Sequence, residues 1–79
     1  MNVAEVSEDT VRTKLRTADP EFQRLEDEHR KLDQQLMRFE THVYLSSEEE
    51  LERRRLQKLK LAAKDRMMDM IRRFKTGNA

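Results

Sequence analysis

The sequence predicts an all-α fold: an antiparallel two-helix hairpin of coiled-coil type, preceded by a short helix. Three observations carry this expectation. Ala, Glu, Lys, Leu and Arg make up 41 of the 79 residues, the composition of long helices. One glycine and one proline leave almost no turn chemistry, which argues against a domain of many short strands. Apolar residues also recur at alternating spacings of three and four along two long stretches, the signature of a single helix face.

The first element is short. Ser7 has the character of an N-cap, and Glu8 and Asp9 place negative charge where a helix N-terminus favours it. Val6 and Val11 have the spacing of a hydrophobic staple. These features predict a helix over 8–17 within a flexible segment 1–18, too short to persist unless it docks. Asp19-Pro20 is the sharpest boundary in the chain. Asp19 can cap the next helix, Pro20 suits its first position, and proline pushes the residue before it out of helical geometry.

From there Phe22, Leu25, His29, Leu32, Leu36, Phe39 and Val43 form an unbroken heptad seam, which predicts a helix over 20–43. Tyr44-Leu45-Ser46-Ser47 interrupts it. Either Ser46 with Glu49 or Ser47 with Glu50 can form a capping box, opening a second long helix over 48–75. Its stripe is Leu56, Leu59, Ala63, Met67, Met70 and Phe74, flanked by Leu51, Ala62 and Ile71. Gly77 follows as a stop, leaving residues 76–79 as a tail. Two long helices joined by about four residues lie antiparallel. A turn centred near residue 45 sets Phe22 opposite Met67 to Met70, and His29 opposite Ala62. One stripe per helix buries only a thin layer. Either association into a four-helix bundle or docking of the first helix would cover the rest, and a dimer would bury Leu61, Met68 and Ile71.

Part of this pattern resembles a known family. Asp19-Pro20-Glu21-Phe22-Gln23-Arg24-Leu25, His29-Arg30-Lys31-Leu32-Asp33, Leu56-Gln57-Lys58-Leu59-Lys60-Leu61 and Lys64-Asp65-Arg66-Met67 are similar, in that order, to the YdcH-like family of small bacterial proteins. The resemblance covers about residues 19–71. It implies a helical hairpin, and it brings no catalytic residues. Where the family pattern often has a larger aliphatic residue before Lys-Asp, this chain has Ala63.

Several chemistries are excluded or left without support. Without cysteine there is no disulfide, thiolate metal site or thiol nucleophile, and a cytoplasmic setting is expected. The first 20 residues hold Glu5, Glu8 and Asp9 and no apolar run, so neither a secretory leader nor a membrane span is expected. His29 and His42 lack the spacing of a two-histidine metal site, and no metal or other cofactor is expected. Nothing suggests an enclosed pocket, so the chain reads as a non-enzyme.

Charge is distributed unevenly. Residues 1–52 carry 7 basic and 14 acidic side chains, and residues 53–79 carry 10 and 2. Arg53, Arg54 and Arg55, with Lys58, Lys60 and Lys64, form a candidate polyanion face. The alternative for this run is solvation and pairing with Glu28, Asp33 and Glu40, although three consecutive arginines are not all expected to find partners. Glu21, Glu26 and Asp27 are expected near Arg66, Arg72 and Arg73. The methionine-rich end, with Met67, Met68, Met70, Ile71 and Phe74, reads as core in preference to a membrane-surface segment. His29 is the polar break in its seam and is expected to pin register with Asp65 as partner, its pKa raised by the pairing. The function expected from these features is a self-associating interaction module that binds a protein partner. The alternative is an accessory binder of nucleic acid or the ribosome surface.

Overall fold

The computed structural model describes residues 7–76, and among them the chain is all-α, with three helices: α1 (Glu8–Ala18), α2 (Pro20–Glu40) and α3 (Ser47–Thr76). Each start follows from a local cap. The Ser7 hydroxyl accepts from the Thr10 backbone N–H at 3.1 Å, opening α1. Val6 and Gly77, the expected staple and stop residues, lie outside the described residues. Asp19 works in both directions. Its N–H closes α1 on the Leu15 carbonyl at 2.8 Å, and its carboxylate accepts from the Glu21 N–H at 2.9 Å to open α2. Its backbone is extended, with φ −125° and ψ 108°, as the following proline requires. Of the two possible capping boxes, the Ser46–Glu49 box forms. The Ser46 hydroxyl accepts from the Glu49 N–H at 3.1 Å, and the Glu49 carboxylate accepts from the Ser46 N–H at 2.9 Å. These two bonds hold the Glu49 carboxyl below its ordinary pKa.

The end of α2 differs from expectation. The helix stops at Glu40, three residues short of Val43, and six residues rather than about four separate it from α3. The Thr41 hydroxyl donates to the Arg38 carbonyl at 2.9 Å, and His42 Nδ1 lies 2.8 Å from the same oxygen. Side chains thus satisfy a carbonyl that another helical turn would have used. Val43 leaves the seam and is exposed, as is Tyr44.

The main core joins Val11 and Leu15 of α1, Phe22 and Leu25 of α2, and Ala63, Met67 and Ile71 of α3, with Met70 and Phe74 packed against it. Leu36 and Leu56 are buried outside that cluster. The docking of α1 redistributes burial on α3. Ile71, expected at the flank and in a dimer contact, is 2% exposed beneath α1, whereas Leu59, expected in the stripe, is 44% exposed. Ala63 is a core residue despite its size. The Arg16 guanidinium ties α1 to α2 through two bonds to the Glu26 carboxylate, at 2.6 and 3.0 Å, and lowers the pKa of that carboxyl. Between α2 and α3, Glu21 meets Arg66 at 2.7 Å and Asp33 meets Lys60 at 2.6 Å. The result is an elongated body of 52 × 21 × 17 Å. Among the described residues no helix is long and apolar enough to cross a membrane.

Candidate interaction surfaces

α1 covers one side of the α2–α3 seam and leaves the other side open. The open side is an apolar groove built from Leu25 and Leu32 of α2 and Leu59, Ala62 and Ala63 of α3, with Glu28 and Lys31 at its edge. Leu25 and Leu32 are seven residues apart, so they stack on one face of α2. Leu59 and Ala62 form a second apolar row on α3, beside the buried row of Leu56, Ala63 and Met67. The small side chains of Ala62 and Ala63 keep the groove wide on the α3 side. This groove is an open surface depression.

The candidate polyanion run divides. At about 100° per residue, Arg53, Lys60 and Lys64 fall on one face of α3, and together they line a shallow groove with Leu36, Gln57 and Leu61. Arg54, Arg55 and Lys58 point elsewhere around the helix. The expectation that the three consecutive arginines do not all find partners is corrected, and so are the partners named for them: Arg53 and Arg54 both meet Glu50, and Arg55 meets Glu52 at 2.6 Å. Those partners lie one turn earlier on α3 itself, because Glu50 and Glu52 stand at i−3 and i−4 from the arginines. Of this run, among the described residues, only Lys60 pairs across to α2, with Asp33. Arg72 and Arg73 likewise turn to Asp69 on their own helix, and Asp27 pairs with Arg30. Of the expected pairs between the helices, Glu21–Arg66 forms. Of the Met67–Phe74 segment, Met67, Met70, Ile71 and Phe74 pack into or against the core, with Met67 3% exposed, whereas Met68, read with them as core, is exposed.

The expected contact between His29 and Asp65 is not formed. His29 Nε2 is buried with no hydrogen-bond partner among the described residues, and Asp65 is exposed. Asp65 stands two residues from the buried Ala63, about 200° around the helix, so it faces away from the seam. The expected rise in the His29 pKa is also reversed. Burial lowers it, helped by Lys60, Lys64 and Arg12, and the Asp33 charge opposes this only in part. Asp33 itself is held by Lys60, which keeps its carboxyl below the ordinary range. Among the described residues no three His, Asp or Glu side chains converge as a metal site.

The described residues form a small all-α body of three helices, with a braced side and an open apolar side. The model of the DUF465 family, described as a protein of unknown function, matches residues 22–71. That is most of the chain, and the chain belongs to this family. The match overlaps the stretch on which the YdcH-like resemblance rests, without itself carrying that name. No curated protein and no solved structure matches the chain.

Proposed function

We propose that the chain is a non-enzymatic interaction module: an antiparallel α2–α3 hairpin braced by α1, which self-associates and binds a protein partner through its exposed surfaces. The observation that carries this reading is the open groove, where Leu59 remains 44% exposed beside the half-buried Leu32 on an otherwise charged molecule. The reverse order of the Glu21–Arg66 and Asp33–Lys60 contacts supports the antiparallel sense, as does the YdcH-like resemblance. A cysteine-free composition suits a cytoplasmic setting.

A second reading, an accessory binder of nucleic acid or the ribosome surface, draws on Lys58 and Lys64, which meet no carboxylate among the described residues. It is weakened by the carboxylates at Arg53, Arg54, Arg55 and Lys60. One experiment separates the two. The full chain is used to capture partners from native lysate, with and without nuclease and at low and moderate salt. Protein capture that survives both treatments supports the module, because apolar contacts do not depend on counterion release. Capture abolished by nuclease and steeply reduced by salt supports the second reading. A chain that captures nothing and stays monomeric excludes the module.

A further inference from the structure

Few contacts seat α1. Val11 and Leu15 bury it in the core, and among the described residues one ion pair, Arg16–Glu26, ties it to another helix. A helix of 11 residues has little stability of its own. Its docking is therefore a local equilibrium that a single charge beneath it can bias.

His29 is placed to supply that charge. It lines the cleft between α1 and α2, with Arg12 and Arg16 of α1 and Met67 of α3. Its Nε2 is buried and has no hydrogen-bond partner among the described residues. A protonated imidazole donates from both nitrogens, so a proton on the ring leaves a buried N–H without an acceptor. The surrounding charges oppose it as well. Arg12 faces the ring from α1, and Lys60 and Lys64 face it from α3, against Asp33 one turn along α2. Asp33 is already held by Lys60 at 2.6 Å. The other charged groups of the cleft meet one another, Glu26 with Arg16 and Asp27 with Arg30. Undocking α1 takes Arg12 away and opens the ring to water, so the undocked state accepts the proton more readily than the docked one. The tie itself does not titrate near neutrality, because Arg16 keeps the Glu26 carboxyl below its ordinary range. The second histidine, His42, lies 2.8 Å from the Arg38 carbonyl beyond the end of α2.

We propose that His29 is a proton-operated catch for α1: as pH falls from about 7 to about 5, a charged ring releases α1 from α2 and α3 and uncovers the apolar side chains beneath it, Ile71 and Met67 among them. One proton can raise the ratio of undocked to docked chains at most about tenfold per pH unit. The test is hydrogen exchange of the full chain at pH 7 and pH 5, with each rate taken relative to an unstructured peptide at the same pH. Residues 8–18 should be less protected than the centres of α2 and α3 at both values. Their protection should fall at least about threefold at pH 5. His29→Leu should abolish that fall, and His42→Asn should retain it. The coupling is reciprocal. In Leu15→Ala, where α1 is loosened, the His29 imidazole should therefore titrate at higher pH than in wild type by nuclear magnetic resonance, a readout that does not depend on His29→Leu folding. Equal protection in all three helices, falling together, would mean that the proton unfolds the whole chain and overturns the catch. A pH response that persists in His29→Leu, or a titration midpoint unmoved by Leu15→Ala, overturns it too.

Discussion

His29 holds its imidazole among cations: Arg12 from α1 and Lys60 and Lys64 from α3, with Asp33 as the one nearby opposing charge. The neutral ring is favoured in the folded chain, so on acidification the unfolded chain takes up its proton first. The stabilising contribution is therefore complete above the ordinary value of 6.5 and is lost as pH falls through the lower folded-state value. The carboxylates held by hydrogen bonds, Glu26 and Glu49 among them, are lowered from 4.5 and act in a more acid window, which keeps the two effects separable. Replacing His29 with Leu removes a buried nitrogen that has no partner. It should raise stability by about 1 kcal/mol, roughly 4–8 °C in Tm, and flatten the decline between about pH 7 and pH 5. Thermal melts across that range check this; a variant with the same pH slope as wild type would assign the acid sensitivity to another group. The break in the seam at His29 was legible in the sequence, because an imidazole among leucines is conspicuous. Its partner was not, since spacing alone leaves open which carboxylate a lysine has already taken.

At the scale of elements, starts and ends differ in how far the sequence reveals them. The starts at Ser7, Asp19-Pro20 and Ser46 depend on side chains within three residues of the cap, so the local sequence is enough. The end of α2 depends on Thr41 and His42 competing for the Arg38 carbonyl, a balance that the apolar pattern through Val43 conceals. Burial on α3 was legible only in part, because it is decided by α1. The docked helix adds Val11 and Leu15 to one side and draws Ile71 into the core, and periodicity within α3 cannot show on which side another helix will lie. The open groove follows from the same choice. An 11-residue helix has little stability alone, so α1 should depend on its two buried side chains. Leu15→Ala is expected to cost about 2–3 kcal/mol and to release α1 first. Hydrogen exchange would then show protection lost across residues 8–18 while the centres of α2 and α3 retain theirs. Simultaneous loss from all three helices would show that α1 and the α2–α3 pair are one cooperative unit.

At the scale of the whole molecule, the acidic and basic halves suggest a body held together by charge, yet few ion pairs join different helices. Among the described residues Arg16–Glu26, Glu21–Arg66 and Asp33–Lys60 do so, and the remaining pairs lie along single helices. Each has one exposed partner, Arg16, Arg66 or Asp33, which salt screens, although Glu26 is largely covered. Raising ionic strength should lower Tm by no more than about 5 °C. Marked stabilisation by salt in a melting series would instead show that repulsion among the cations of α3 outweighs these pairs. The loop carries one further consequence. Tyr44 is the single tyrosine in a chain without tryptophan, and it is 88% exposed, outside the main core. Its ring is already bathed in water in the native state, so loss of the fold changes its surroundings little. Intrinsic fluorescence is thus nearly blind to unfolding here, and the same ring becomes a selective optical reporter for anything that settles on the α2–α3 loop.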